Sequence, residues 1–150
     1  MDYYTHLLTI FFEVKLKNIL FMCVENSARS QMAEGLAKHF LSKDLTIHSA
    51  GSNPTTVNPI AIKVMQEINI DISTHYSKSH DNLPQQFKED LNLVITLCKE
   101  EICPILPKNI KHIHLPIYNP ANSSYFTEEE QILNFRKIRN KLKEIILLVF

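Results

Sequence analysis

Apolar runs alternate with helical patterns through most of this chain, and few folds accommodate that alternation. Ile19 to Val24 reads as a strand. Ser30 to Leu41 reads as a helix with Met32, Ala33, Leu36, Ala37, Phe40 and Leu41 on one face. Leu45 to Ser49 is a second strand. Asn58 followed by Pro59 marks a helix start, with Ile60, Ala61, Val64, Met65 and Ile68 as the apolar stripe. A short helix is expected over Gln85 to Asp90, a strand over Leu91 to Leu97 and a last short strand over Lys111 to Leu115. Thr127 and Glu130 form a capping box for a final helix that buries Phe135, Ile138, Leu142, Ile145 and Val149. The pattern predicts an α/β fold: a four-stranded parallel sheet flanked by helices on both faces. Ligands of such sheets bind beyond the carboxyl ends of the strands.

At 150 residues the chain is long enough for one domain with a real core. Sixteen basic residues balance sixteen acidic ones, which argues against nucleic acid or a membrane surface as partner. No apolar segment reaches transmembrane length. The run Leu7 to Phe12 lacks a basic region before it and is flanked by Asp2 and Glu13, which disfavours a signal peptide. Three cysteines without a secretory signal point to thiol chemistry in a reducing compartment, the cytoplasm. An odd count also fits one nucleophile plus one redox pair.

Chemistry concentrates where the first strand meets the first helix. Cys23 ends the apolar run, Val24, Glu25, Asn26, Ser27 and Ala28 form a short loop, and Arg29-Ser30 open the helix. Backbone N–H groups of such a loop aim at one spot, and the helix end adds partial positive charge. Arg29 offers a planar fork of donors matched to a tetrahedral oxyanion. The same donors favour the thiolate form of a cysteine at the mouth of the loop. Asn26 tolerates a left-handed backbone, and Ser27 and Ser30 can turn hydroxyls inward. Glu25 would repel an anion if it pointed inward and is expected to face solvent. The competing reading is a buried strand-end cysteine before an ordinary helix start.

The run Cys23-Val24-Glu25-Asn26-Ser27-Ala28-Arg29-Ser30-Gln31-Met32-Ala33-Glu34-Gly35 resembles the active-site signature of thioredoxin-coupled arsenate reductases. These share the low-molecular-weight protein tyrosine phosphatase fold. The likeness continues through Ser49-Ala50-Gly51, Asn58-Pro59, Asp71-Ile72-Ser73, Val94 to Cys98, Cys103-Pro104 and Asn119-Pro120-Ala121. It covers about residues 17 to 148, so a domain is expected over 17–150, with 1–16 as an N-terminal extension. The resemblance implies a three-cysteine relay. Cys23 attacks arsenate, Cys98 attacks Cys23 and expels arsenite, and Cys103 moves the disulfide to an exposed Cys98–Cys103 pair. Thioredoxin or a similar dithiol then reduces that pair. It implies no organic cofactor, phosphate or sulfate as competing anions, and a monomer. Read without the family, Cys98 and Cys103 are equally well small buried hydrophobes. A zinc site from Cys98, Cys103, His112 and His114 matches no recognised spacing.

This chain departs from the family in three places. Cys98 and Cys103 stand closer together than in many members. Asn119 occupies the position of the aspartate that serves the phosphatase branch as general acid, and an amide cannot deliver a proton. Where some members bind potassium, the matching ligands are Asn26, Glu34 and Ser49, but the fourth, acidic position falls on Lys78. An ammonium there would replace the ion and bridge to Glu34, so no metal is expected. The competing reading makes Lys78 a solvated surface residue. For the chain as a whole, the alternatives to a reductase are two. One is a tyrosine phosphatase or other phosphomonoesterase using only Cys23 and Arg29. The other is an oxyanion-binding module without turnover.

Overall fold

The computed structural model describes residues 16–99, 109–121 and 126–150. The expected 1–16 extension, apart from Leu16, lies outside the described residues, as does Cys103. Leu16 packs against the core.

The described elements run β1 (Asn18–Cys23), α1 (Arg29–Phe40), β2 (Thr46–Gly51), α2 (Pro59–Gln66), a single 3-10 turn (His80–Asn82), α3 (Gln85–Glu89), β3 (Leu93–Thr96), β4 (Lys111–His114) and α4 (Glu128–Val149). The strands form one sheet in the order β2-β1-β3-β4. All three pairings are parallel, with Phe21 opposite both Ser49 and Ile95, and Thr96 opposite His114. The order reverses direction between β1 and β3. The crevice at the carboxyl ends of those two strands is therefore the topological switch point, where open α/β sheets receive ligands.

Both faces of the central strands β1 and β3 are buried, and side chains alternate between them with the strand period of two. Ile19, Phe21, Ile47, Leu93, Ile95 and Ile113 face α1, α2 and α4 in the larger core. Leu20, Met22, Ala50 and Val94 face a smaller cluster built by Leu83, Phe87 and Leu91 around α3. Thus helices cover both faces, three on one side and one short helix on the other.

The helix ends follow the local chemistry. Asn58 accepts a hydrogen bond from the N–H of Ile60 at 2.8 Å, and Pro59 opens α2. Thr127 and Glu130 complete their capping box. The final helix differs from expectation in one respect. Ile138 is only partly buried, whereas Arg139 is buried. Arg139 Nη1 donates to the Val64 carbonyl (2.7 Å) and to Glu67 Oε2 (2.9 Å), so its charge is paired at the end of α2. Among the described residues no helix is long and apolar enough to cross a membrane.

Candidate active site

The loop between Cys23 and Arg29 is shaped by what its carbonyls do. The Val24 carbonyl accepts from the N–H of Asn53 (2.8 Å), Glu25 from Thr55 (3.1 Å) and Ser27 from Asn58 (2.8 Å). The Asn26 carbonyl accepts from Ser77 Oγ (2.7 Å) and Gln31 Nε2 (3.1 Å). In a planar trans peptide the N–H of the next residue points opposite to the carbonyl. Four carbonyls held outward therefore turn the N–H groups of Glu25, Asn26, Ser27 and Ala28 toward the other side, the side an anion would occupy. Asn26 makes the required turn with φ of 50°. Gly51 at the end of β2 permits the packing: a Cβ there would press on the Val24 carbonyl oxygen and lie 2.8 Å from the Asn26 nitrogen.

Cys23 Sγ is buried and lies 2.9 Å from Ser30 Oγ. Asn26 Nδ2 donates to the same Ser30 oxygen at 2.8 Å, and once Cys23 is a thiolate the Ser30 hydroxyl is placed to donate its proton to the sulfur. Arg29 is also buried, and its Nη1 donates to the carbonyls of Ile117 (3.0 Å) and Leu97 (3.3 Å). These bonds hold the guanidinium at the carboxyl edge of the sheet, beside the end of β1. Glu25 faces solvent.

Cys98 is fully buried just beyond β3. The N–H of Leu97 donates to the Met22 carbonyl at 2.8 Å, which extends the β1–β3 ladder to the residue before each cysteine. Cys23 thus ends β1, and Cys98 follows two residues after the end of the neighbouring β3, both at the carboxyl edge of the sheet. Both are buried.

Behind the loop stands a buried polar network to which sequence reasoning gave no role beyond Asn26, Glu34, Ser49 and Lys78. Gln31 Nε2 donates to Asn26 Oδ1 (2.9 Å) and to the Tyr76 carbonyl (3.0 Å). His75 Nδ1 lies 3.0 Å from Gln31 Oε1 and 3.0 Å from Glu34 Oε2, two acceptors, so that nitrogen carries the proton. Burial pushes the pKa of His75 below its ordinary value, and the neighbouring Glu34 only partly offsets this. The backbone N–H of Lys78 donates to Asn26 Oδ1 at 3.0 Å. Each member is polar at a position where an amphipathic pattern shows nothing unusual, so periodicity offers no signal for it.

Residues 18–146 match the family described as low molecular weight phosphotyrosine protein phosphatase. The chain belongs to this family. An arsenate reductase from Staphylococcus aureus (strain bovine RF122 / ET3-1) is 42% identical over 129 residues, covering 85% of this chain and 91% of that protein. A solved arsenate reductase in its phosphate-binding state is 31% identical with a TM-score of 0.70, covering 88% of this chain and 95% of that one. A tyrosine phosphatase from Erwinia amylovora superposes with a TM-score of 0.72 at 21% identity, over 91% of this chain and 92% of its own. One fold thus carries proteins of both names, and the fold alone does not choose between the chemistries.

Two of the departures from the family are visible in the structure. Asn119 Oδ1 accepts from the N–H of Ala121 at 3.1 Å, a local turn ahead of the described segment's end. Lys78 is not a solvated surface residue: its side chain is 7% exposed, with Nζ 4.0 Å from Glu34 Oε1. That ammonium stands on the cation side of Glu34, and Asn26 Oδ1 already accepts two N–H bonds. The donors present therefore do not fit a bound potassium ion. His112 Nε2 and His114 Nδ1 share the Thr96 hydroxyl at 2.8 and 2.9 Å. Among the described residues no group of three or more His, Cys, Asp or Glu is placed to hold a metal.

Proposed function

We propose that this chain reduces arsenate to arsenite with electrons passed through Cys23, Cys98 and Cys103. The observation that carries this reading is the pair of buried cysteines at the carboxyl edge of the sheet, Cys23 ending β1 at the mouth of the anion loop and Cys98 just after the neighbouring β3. A phosphatase needs only the first thiol. The identity to the staphylococcal arsenate reductase supports the same choice.

The steps balance as follows. The Cys23 thiolate attacks arsenic, an oxygen leaves as water after protonation, and a sulfur–arsenic bond forms. Loop N–H groups and the Arg29 fork stabilise the anionic oxygens, while the Ser30 hydroxyl positions the sulfur. The Cys98 thiolate then attacks Cys23 Sγ. A disulfide forms, the sulfur–arsenic bond breaks, and its electron pair leaves with arsenic, now in arsenite. Cys103 attacks Cys98, releasing the Cys23 thiolate and leaving a Cys98–Cys103 disulfide. Thioredoxin or a similar external dithiol reduces it by two further exchanges. Cys98 is fully buried, so it must become exposed for the final disulfide to meet its reductant.

Asn119 favours the reductase over the phosphatase. Its amide supplies no proton, and its oxygen is engaged in a turn. Phosphate monoesters need an acid for their leaving oxygen, whereas arsenate oxygens exchange readily. The deciding experiment couples arsenate to NADPH oxidation through thioredoxin and thioredoxin reductase, run beside p-nitrophenyl phosphate hydrolysis. Turnover with arsenate should vanish in Cys23→Ser, Cys98→Ser and Cys103→Ser. Phosphate release that needs only Cys23, with no arsenate turnover, would establish the phosphatase instead.

A further inference from the structure

Glu34 is a carboxylate buried at 3% side-chain exposure in the second turn of α1, and four groups of basic character face it. Lys38 Nζ lies 3.6 Å from Oε1, but Lys38 is 47% exposed and its charge is screened by water. His48 Nδ1 lies 4.0 Å from Oε1 and His75 Nδ1 3.0 Å from Oε2. Burial lowers the pKa of both imidazoles, so at neutral pH they face Glu34 as dipoles. The remaining group is Lys78. Its Nζ sits 4.0 Å from Glu34 Oε1, 3.5 Å from the Tyr76 carbonyl and 5.0 Å from the centre of the Tyr76 ring. At these distances it acts as a buried point charge more than as a hydrogen-bond donor.

That charge sits on the strap that shapes the anion loop. The N–H of Lys78 holds Asn26 Oδ1, and its carbonyl accepts from the N–H of Gly51 at 2.9 Å. Its neighbour Ser77 holds the Asn26 carbonyl, and Tyr76 takes the second bond of Gln31. Ser49 Oγ is fully buried, with no hydrogen-bond partner among the described residues. It lies on the sheet face shared with Ile47, beneath α1, because side chains alternate along β2.

We propose that Lys78 is a positioning residue, a covalently attached cation that neutralises Glu34 behind the loop and makes oxyanion binding independent of dissolved monovalent cations. Removing the ammonium would leave a buried carboxylate without a buried counter-charge, which a protein tolerates poorly. It would also leave oxygen donors, namely Glu34, the Tyr76 carbonyl and the orphaned Ser49 hydroxyl, which suit a hard cation. A potassium ion from solution would then restore the charge. The proposal rests on reading the loop as an oxyanion site, so binding is measured apart from turnover.

The test is the dissociation constant of inorganic phosphate by calorimetry, with the KM for arsenate in parallel, in potassium chloride and in choline chloride at equal ionic strength. The wild-type protein should bind phosphate equally in both salts. Lys78→Met should lose affinity by on the order of tenfold in choline and recover it with potassium, the loss falling on KM more than on kcat. Lys78→Arg should stay insensitive to the salt. If Lys78→Met does not fold in choline, recovery of its circular dichroism and thermal transition by potassium is the same result read as folding. The double variant Lys78→Met/Glu34→Gln removes both charges and should be insensitive to potassium. Potassium stimulation of the wild type, or a Lys78→Met variant blind to potassium in both binding and stability, would overturn the proposal. Phosphate binding with this salt pattern but no arsenate turnover would overturn the reductase reading and leave the cation role standing.

Discussion

Cys23 ends β1 and Cys98 lies just beyond the neighbouring β3, and their settings differ. Cys23 sits in a prepared polar cradle. A hydroxyl lies 2.9 Å from its sulfur, that hydroxyl is fixed by Asn26, and Asn26 is held by Gln31, Ser77 and Lys78. Cys98 is stored in packing, fully buried between buried Leu97 and exposed Lys99. In the proposed relay, substrate comes to the first sulfur, while the second must leave its place. Preorganisation serves the step with a charged transition state, and the step that hands electrons outward requires the buried Cys98 to be exposed.

Three changes would break or sharpen this contrast. The largest effect is expected from Ser30→Ala, which strips the hydroxyl from Cys23 and leaves Cys98 untouched. Arsenate turnover should fall by roughly a hundredfold in kcat, in line with the loss of one oriented donor at a charged centre. A steady-state assay that finds wild-type kcat would mean the short sulfur–oxygen contact is packing alone.

Next comes Gly51→Ala. The added methyl meets backbone, the Val24 carbonyl and the Asn26 nitrogen, neither of which can rotate away. The cradle should shift, raising the KM for arsenate, and urea unfolding should show a loss of about 2 kcal/mol. By contrast, rapid alkylation of Cys98 in unfolded protein should proceed as in the wild type. An unchanged KM would show that the loop does not depend on its contact with β2.

The smallest effect concerns pH. Burial holds His75, His48 and His112 below their ordinary pKa of 6.5 in the folded state. Between the folded pKa and 6.5 the unfolded chain binds more protons. Stability is therefore full above about pH 6.5 and declines as pH falls through the folded values. His48 and His75 also face Lys38 and Lys78, whose charges add to the cost of protonation. Thermal melts between about pH 7.5 and 5.5 should show the transition falling toward acid. His75→Asn keeps a side-chain donor and removes the titration, so its slope should be shallower. A steeper slope in that variant would place the sensitivity elsewhere.

Much of the fold was legible in residue order because its signals are local. Asn58-Pro59 and the Thr127–Glu130 box are contacts within one turn, and both helices start where those residues say. Apolar runs such as Leu93 to Thr96 are buried on both faces, so they mark central strands without knowledge of their neighbours. The left-handed Asn26 was also legible, since a tight anion cradle demands such a turn, whereas the burial of Arg29 was not. Arg139 was not, because its burial depends on Glu67 and the Val64 carbonyl, contacts made only once α4 lies across α2.

By itself, then, the amino-acid order determined the strand–helix alternation, the helix starts and the cysteine-to-arginine loop. Each is set by the backbone and side-chain chemistry of residues within a few positions of one another. Only the tertiary structure decided the strand order, with β1 between β2 and β3, and so set the segment that carries Cys98 beside the strand that Cys23 ends. It also decided that residues 53–58 and 76–78 would turn the loop carbonyls outward and that Lys78 would be buried against Glu34. Those outcomes are long-range pairings between groups that are unremarkable in sequence. Their energies exist only after the chain has closed and water has left.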